Sequence, residues 1–429
     1  MKNRNSLVLF LTVFIDMMGF SVIFPIFPET LKFYIQNGND SVLQFFISIV
    51  EYFFTTQKNP YFIVLFGGLI GSIYAILQFI FSPIWGRLSD RIGRRKILQF
   101  TSLGSFLGYL IWFFSGNFST FVLSRMITGI MGGNISVASA SMADMTSNED
   151  RAKGMGIIGA GIGLGFIFGP PLGGLMSGVN LVAYYPALQS IGTTVYYSSA
   201  LVSVVVSFVN LFMVSTIFKE TFTGSPQSSK KFLHPILGIF HTNSKALPFI
   251  SLIYFLFTFG FSGFEFCINF FFYEALQFSP KEIGFSFVYM GGIVILIQGG
   301  IIRRISGKVS EKKISQFGAI SLLIGFLFMI SFNGIGFVFV SLFFLSSGSA
   351  FLNPGLSSMA SLYSDKMEQG KNLGILRGFG SLARAFAPLC FSILYFSMGA
   401  KIAFLGSMCL IGVVFTLLLN LPEKEKLSE

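Results

Sequence analysis

The chain has 429 residues, of which 53% are apolar and 11% carry a charge, and its mean hydropathy is +0.74. Soluble globular proteins carry about 25% charged residues, so this composition excludes a soluble globular enzyme. The net charge of +11 does not indicate a nucleic-acid partner, because the bases lie between apolar runs and do not form one soluble basic face. The chain is therefore predicted to be an integral membrane protein.

Twelve apolar runs are long enough to cross a bilayer, and we call them spans 1 to 12. They cover residues 6–28, 61–85, 97–114, 118–142, 154–178, 195–217, 247–272, 282–302, 314–332, 334–360, 372–398 and 401–421. The first run contains no small-residue cleavage site, so we interpret it as a retained span. The loop 29–60 contains a partly amphipathic segment that we expect to lie along the outer membrane surface.

The basic residues are distributed unevenly between the two sets of loops. Of the 29 bases, 22 lie in the segments on the side of the N-terminus, four lie in the opposite loops, and three lie within spans. Because cytoplasmic loops carry an excess of Lys and Arg, both termini are predicted to be cytoplasmic.

Two stretches of the sequence recur at about half the chain length. The loop Gly86–Ile92 after span 2 is similar to the loop Gly307–Lys313 after span 8, and spans 5 and 11 share a Gly-Ile start and a proline at matching positions. Such parallel repeats are typical of transporters with a site at mid-membrane between two halves. The sequence predicts a six-span half at 1–217, a cytoplasmic linker at 218–246, and a second half with a short cytoplasmic tail at 247–429.

Several motifs resemble one known family. The loop after span 2 reads Gly86-Arg-Leu-Ser-Asp-Arg-Ile-Gly-Arg-Arg-Lys96, span 4 contains Arg125-Met-Ile-Thr-Gly129, and span 5 contains Gly159-Ala-Gly-Ile-Gly-Leu-Gly-Phe-Ile-Phe-Gly-Pro-Pro-Leu-Gly-Gly174. These stretches resemble the drug:proton antiporter branch of the major facilitator superfamily, which includes tetracycline efflux pumps. The resemblance is sharpest over residues 10–174.

The resemblance carries expectations for fold and function. It implies an all-α membrane protein with 12 transmembrane helices in two pseudo-symmetric six-helix halves. It also implies a monomeric secondary transporter that exports amphipathic small molecules in exchange for protons by alternating access. The proton gradient would be the energy source, with no cofactor and no metal. The compact chain and the resemblance to bacterial pumps favour a prokaryotic plasma (inner) membrane.

The loop after span 2 is predicted to act as a gate. In the resembling family the acid matched by Asp90 lies against the start of span 11, and the base matched by Arg94 pairs with the acid matched by Asp144. The predicted gating residues are Gly86, Asp90, Arg91, Gly93, Arg94, Arg95 and Asp144. The second half lacks the later Gly-Arg-Arg, so the equivalent gate is not carried over there. The alternative is a loop that serves only as an orientation signal.

Span 5 carries glycines that recur every four residues. Residues at this spacing share one helix face, and small residues there let a second helix approach closely. The motif residues are Gly161, Gly165, Gly169, Pro170, Gly173 and Gly174. From the resemblance we expect this face to contact span 8, which carries Gly291, Gly292 and Gly299. The alternative is static packing without a role in transport.

Charged residues inside the spans are functional candidates, because a charge at the bilayer centre costs roughly 2.5–3.5 kcal/mol. Asp16 lies near the middle of span 1 and Arg125 lies within span 4, so we interpret them as a proton-coupling pair, with a purely structural ion pair as the alternative. Glu265 in span 7 has three interpretations: a second proton carrier, a counter-charge for cationic substrates, or a partner of an arginine in span 11. Arg377 and Arg384 of span 11 also leave an anionic substrate open.

Aromatic side chains near these charges are candidates for an apolar substrate cavity. The cavity residues predicted from the sequence are Phe20, Phe24, Tyr254, Phe261, Phe264 and Arg384. The chain has no GxxxxGK[ST] loop for ATP, and neither HExxH nor GxSxG, so an enzyme is not predicted. Proton-coupled efflux is the main interpretation. Uptake or exchange of a sugar, metabolite or organic anion, and a non-transporting membrane sensor, are the alternatives.

Overall fold

The structure is a computed structural model that describes residues 2–54, 59–147, 150–187, 196–222, 235–242, 244, 246–305, 307–364 and 369–421. Helices account for almost all of the regular secondary structure in these ranges, which confirms the all-α prediction. Eleven helical segments of the described chain are long and apolar enough to cross a membrane. The centre of the predicted linker, including His234, and most of the predicted tail lie outside the described residues.

Each predicted span corresponds to one helix or to a broken helix. Spans 1 to 6 are formed by Lys2–Ser21 with Phe27–Asn37, Phe62–Ile92, Arg94–Phe113, Phe118–Met131 with Asn134–Met145, Arg151–Ser177 and Tyr197–Thr216. Spans 7 to 12 are formed by Leu247–Glu274, Pro280–Leu296 continued by a π-helix at Ile297–Ile302 and by Arg303–Ile305, Glu311–Ile330, Ile335–Leu362, Gln369–Met398 and Ala400–Asn420. Span 3 is a full-length helix but is not among the eleven most apolar segments, and its first turn contains three consecutive bases.

The described chain forms two compact units that differ from the two sequence halves. One unit contains 1–232 together with 266–288 and 388–396, and the other contains 233–265, 289–387 and 397–429. The added pieces belong to the first unit because they pack on it closely. For example, a Cβ on Gly68 of span 2 would collide with Ser392 of span 11.

The loop between spans 1 and 2 contains the helix Ser41–Phe54. Its buried face carries Leu43, Ile47 and Val50. Asp40 holds it in place, because the carboxylate accepts hydrogen bonds from the backbone N–H of Leu43 at 2.8 Å and of Phe118, at the start of span 4, at 2.9 Å. Burial raises the pKa of Asp40, but these hydrogen bonds outweigh that effect and leave it below its ordinary value. The predicted position of this helix on the membrane surface stays a prediction.

The glycine face of span 5 packs against span 1, which corrects the expectation that it faces span 8. A Cβ on Gly165 would lie 2.6 Å from both the Met17 Cβ and the Phe14 carbonyl oxygen, and one on Gly161 would lie 3.0 Å from the Phe10 carbonyl oxygen. Gly169 and Gly173 continue this contact along Ser21 and Val22. The four-residue spacing therefore predicts the face correctly, and the partner helix is span 1.

Span 5 meets span 8 at a different set of residues. A Cβ on Gly174 would lie 2.5 Å from the Pro280 carbonyl oxygen and 2.8 Å from the Gly284 Cα. Within the first unit, the two helices thus touch backbone to backbone near the beginning of span 8. Two of the glycines expected at this contact, Gly292 and Gly299, have open space where a Cβ would be.

Replacing Gly165 by alanine is expected to destabilise the protein. The added Cβ meets backbone atoms of span 1 that have no room to move, and overpacking of this kind typically costs about 1–3 kcal/mol. Gly163→Ala is the matched control, because Gly163 lies on the exposed face of the same helix with nothing within 4 Å of a Cβ. The melting temperature of the purified protein in detergent measures the difference. Equal melting temperatures of the two variants would contradict the packing of spans 1 and 5.

Candidate functional site

Asp16 lies inside the first unit and is 7% exposed. Its Oδ1 accepts a hydrogen bond from Asn134 Nδ2 in span 4 at 3.0 Å. Its Oδ2 is buried and has no hydrogen-bond partner among the described residues. One carboxylate oxygen therefore accepts a hydrogen bond from the Asn134 amide, and the other is buried without a donor in the part of the chain that the structure describes.

Arg125 lies among aromatic rings. Its guanidinium carbon is 4.5 Å from the centre of the Trp112 ring, 5.7 Å from Phe121 and 5.9 Å from Tyr109. These cation–π contacts stabilise a buried cation without a carboxylate partner. Asp16 and Arg125, both within the described ranges, do not form a salt bridge. The structural ion pair considered above is thus absent from this structure.

Two tyrosines connect the surroundings of Asp16 and Arg125. Tyr74 of span 2 and Tyr109 of span 3 each interact electrostatically with both charged groups. The Phe20 ring stacks on Tyr74 with a centroid distance of 4.4 Å, and Phe24 packs edge-to-face on Phe20 at 5.3 Å. Two of the predicted cavity residues therefore belong to an aromatic cluster next to this polar group.

The second unit contains its own charged group around span 11. Glu265 interacts electrostatically with Arg384, and Arg377 interacts with both Arg384 and Tyr254. The Tyr254 hydroxyl is 3.5 Å from Asn353 Oδ1. These residues bring two basic groups and one acidic group together within one unit.

One predicted cavity residue of the second half belongs to the core. Phe264 is fully buried, and its ring lies 5.3 Å from Phe326 and 5.6 Å from Phe404. It therefore lines no water-accessible space in this structure, which corrects the prediction. Phe261 is half-buried and its ring lies 6.0 Å from Phe264.

The segment 86–96, which was predicted as a loop, is helical up to Ile92 and again from Arg94, and only Gly93 separates the two helices. Its charged residues form a cluster around Arg94. The Arg94 side chain is 5% exposed and forms salt bridges with Asp144 at 2.8 Å and with Asp90 at 2.5 Å. Its Nη1 also donates to Ser89 Oγ at 2.6 Å. The chain turns at Gly93, whose φ of +108° favours glycine. The structure thus brings together four of the predicted gating residues, and a Cβ on a fifth, Gly86, would contact Ser136 of span 4.

The remaining predicted gating residues lie at the edge of this group. Arg91 is exposed, and Arg95 donates to the Ser215 carbonyl oxygen of span 6 at 2.5 Å. The predicted contact of Asp90 with the start of span 11 stays a prediction.

Glu220 is a site residue that the sequence did not indicate. Its carboxylate accepts hydrogen bonds from the backbone N–H of Arg94 at 3.0 Å and of Arg95 at 3.1 Å. These are the first residues of span 3, where a helix has free N–H groups and favours a negative charge. The only available signal was an acid placed directly after span 6. A carboxylate that binds the backbone of residues far away in the chain cannot be recognised from the sequence, because every residue type except proline has the same backbone N–H.

The helical architecture, the buried charges and the charged cluster around Arg94 are typical of a membrane transporter. A family model described as Major Facilitator Superfamily matches residues 9–330 and 300–429. The chain belongs to the major facilitator superfamily. It is a multi-pass integral membrane protein and a transporter, not an enzyme.

Relatives of two kinds are similar to the chain over nearly its whole length. Major facilitator superfamily domain-containing protein 10 of Mus musculus is 30% identical, covering 100% of this chain and 95% of the relative. The tetracycline resistance protein, class B, of Escherichia coli is 26% identical, with 92% and 89% covered. Because the relatives are mammalian and bacterial, the expected prokaryotic membrane stays a prediction.

Solved structures show the same fold. The crystal structure of the human organic anion transporter MFSD10 (TETRAN) aligns with a TM-score of 0.77 and 28% identity, covering 97% of this chain and 99% of that chain. A D-xylose-proton symporter aligns with a TM-score of 0.70 and 18% identity, covering 99% and 98%. The second likeness concerns the fold alone.

Replacing Glu220 by alanine is expected to lower stability by about 0.5–2 kcal/mol, the usual effect of losing a helix N-cap. Lys219→Ala is the matched control, because Asn5 binds the backbone of Lys219 and does not need its side chain. Chemical denaturation of both variants in detergent measures the loss. A Glu220 variant as stable as the Lys219 variant would contradict the capping role.

Proposed function

We propose that the protein is a proton-coupled antiporter that exports amphipathic organic anions by alternating access. The observation that carries this proposal is the buried Asp16 carboxylate. Among the residues that the structure describes, it has one hydrogen-bond donor, one unpartnered oxygen and no salt bridge. A carboxyl group in such a place is most easily accommodated when it carries a proton. It therefore takes up a proton from one side and releases it when its surroundings become more favourable to charge.

Arg125 provides the change in surroundings. In this structure the aromatic rings of Trp112, Phe121 and Tyr109 hold the guanidinium apart from Asp16. Movement of span 4 toward span 1 brings the positive charge closer to the carboxyl group, which favours proton release. The proton gradient supplies the energy, and no cofactor takes part.

The substrate class follows from the charges in the second unit and from the relatives. Arg377 and Arg384 outnumber Glu265, so the group has a net positive charge that attracts an anion. The MFSD10 structure, described as that of an organic anion transporter, is 28% identical to this chain. The tetracycline resistance proteins are less similar, so tetracycline is the second substrate to test.

The charged cluster around Arg94, where span 2 meets span 3, serves as the gate in this proposal. Arg94 keeps Asp90 and Asp144 together, and Glu220 fixes the start of span 3 beside them. Asp90 is half-exposed, so it is available to bind and release another group during the cycle. The protein works as a monomer with both termini in the cytoplasm and exports its substrate across a prokaryotic inner membrane.

Transport in liposomes tests the proposal. The probe is radiolabelled 2-naphthalenesulfonate, which stays anionic at all working pH values, and tetracycline is tested in parallel. An antiporter accumulates the sulfonate when the lumen is acidic, whereas a proton symporter accumulates it when the lumen is alkaline. A non-transporting sensor gives neither accumulation nor counterflow. Accumulation of the sulfonate with an acidic lumen supports the proposal. Accumulation with an alkaline lumen, or the absence of both accumulation and counterflow, overturns it.

Asp16→Asn is expected to abolish accumulation driven by an acidic lumen while sulfonate counterflow continues. The amide keeps the shape of the side chain but cannot carry a proton. Asp150→Asn is the control, because Asp150 pairs with Lys153 at the exposed start of span 5. Full pH-driven accumulation by the Asp16 variant would remove this residue from the coupling mechanism.

Arg384→Gln is expected to weaken the apparent affinity for 2-naphthalenesulfonate. Loss of a hydrogen bond to a charged group, about 1.5–3 kcal/mol, corresponds to roughly 10- to 100-fold. The control is Arg304→Gln, because Arg304 is exposed at the end of span 8. Counterflow at varied sulfonate concentration measures both variants. If the two affinities fall equally, Arg384 does not bind the substrate directly.

A further inference from the structure

Span 4 is a broken helix, and the break is part of the packed structure. The first helix ends at Met131 and the second begins at Asn134, with Gly132 and Gly133 between them. A Cβ on Gly133 would collide with the Trp85 side chain. The Trp85 indole N–H donates to the Ile130 carbonyl oxygen at 2.6 Å, which satisfies a carbonyl that the break leaves outside the regular helix. The break thus has its own hydrogen bond and its own packing partner.

The break places Asn134 at the start of the second helix, facing Asp16. Asn134 is fully buried, and its side chain is bonded at both ends. Its Nδ2 donates to Asp16 Oδ1 at 3.0 Å, and its Oδ1 accepts from the Thr101 hydroxyl at 2.6 Å. The amide therefore joins span 1 to span 3. With Asp16 ionised, only this orientation of the amide gives the carboxylate a donor.

The same atoms also suit the protonated state of Asp16. Thr101 Oγ1 lies 2.8 Å from the Ile97 carbonyl oxygen, so its hydroxyl has a second acceptor within reach. If the amide turns over, a protonated Asp16 donates to the Asn134 oxygen, the Asn134 nitrogen donates to Thr101, and Thr101 donates to Ile97. Every donor along this path keeps an acceptor in both states. Turning the amide over is thus enough to satisfy the hydrogen bonds of both protonation states.

We propose that Asn134 is the positioning residue of the proton-binding carboxyl group, and that Thr101 sets the orientation of its amide. This inference rests on the proposed function, since it assumes that Asp16 takes up and releases a proton. Asn134 holds the carboxyl group at a fixed place in the break of span 4. Its amide donates to the ionised form and accepts from the protonated form.

The other charged and titratable groups around Asp16 are few. Tyr74 of span 2 and Tyr109 of span 3 interact with it electrostatically, and Arg125 of span 4 interacts with the same two tyrosines. Spans 5 and 6 also pack against span 1, but residues 154–177 and 197–216 contain no Asp, Glu, His, Lys or Arg. Their one tyrosine, Tyr197, begins span 6, and its hydroxyl contacts Asn180 and the Val182 N–H. Asn134 is therefore the neighbour whose removal changes the hydrogen bonding of Asp16 most directly.

Infrared difference spectroscopy of the purified protein during a pH titration tests the proposal without any substrate. The carboxylic-acid band that disappears in Asp16→Asn belongs to Asp16, and its midpoint is then followed in Asn134→Ala. The bond that the amide donates to the carboxylate is charge-assisted and therefore stronger than the neutral bond that it accepts from the protonated form. The Asn134 variant loses both bonds, so it is expected to hold its proton to a pH roughly one to two units higher. An unchanged midpoint would overturn the proposal.

Asn210→Ala is the matched control. Asn210 is a second buried asparagine of the same unit, and its Nδ2 donates to Ser102 Oγ at 3.2 Å and not to a carboxylate. The expected midpoint in this variant is that of the unmodified protein. An equal shift in both asparagine variants would indicate a general loss of structure and would overturn the positioning role.

Two substitutions at Thr101 test the orientation of the amide and cover the case in which Asn134→Ala does not fold. Thr101→Val is expected to shift the midpoint upward by less than Asn134→Ala, and Thr101→Ser to restore the original value. An unshifted Thr101→Val removes Thr101 from the proposal. If no Asp16 band titrates in the unmodified protein, the proposed function fails first, which distinguishes its failure from that of the role of Asn134.

Discussion

A carboxyl group inside a hydrocarbon-facing bundle is expensive to ionise, and the first unit is organised around that cost. The group needs a dry, closely packed place so that its proton affinity depends on a few defined neighbours. The glycine face of span 5 contributes by bringing its backbone against the turns of span 1 next to Asp16, at Phe14 and Met17. The broken span 4 contributes the Asn134 amide, which donates a hydrogen bond to Asp16. Close packing and one polar partner thus act on the same residue.

The sequence predicts features that depend on residues close together in the chain, and it does not predict contacts between residues far apart in the chain. Apolar runs predicted all twelve spans, because burial in lipid requires about 20 apolar residues in sequence. The four-residue glycine spacing predicted a contact face, but helical periodicity says which residues share a face and not which helix lies opposite. Span 1 was therefore missed as the partner of Gly165. Glu220 was missed because it binds backbone groups 125 residues away or more, and such groups leave no mark on residue type.

The same limit applies to the aromatic residues. A phenylalanine in a span looks the same in the sequence whether it faces lipid, a cavity or the core. Phe20 lies beside the polar group of the first unit, whereas Phe264 is enclosed by other rings. Asn134 could have been predicted as a site residue, because an amide that follows two glycines within a span indicates a helix break with a polar partner. Polar residues at a helix break are thus a better guide to a site than aromatic residues in general.

The π-helix in span 8 is a structural difference between two helices at matching positions in the repeat. A turn closed by i→i+5 hydrogen bonds holds one residue more than an α-helical turn, and such turns occur frequently at functional sites. The corresponding helix of the first half, Phe62–Ile92, is α-helical throughout. Span 8 thus has a turn with wider hydrogen bonding directly before Arg303 and Arg304, whereas span 2 continues as a regular helix through Gly86 to Ile92. The two copies of the repeated motif therefore differ in local backbone structure, and a property of one copy does not carry over to the other.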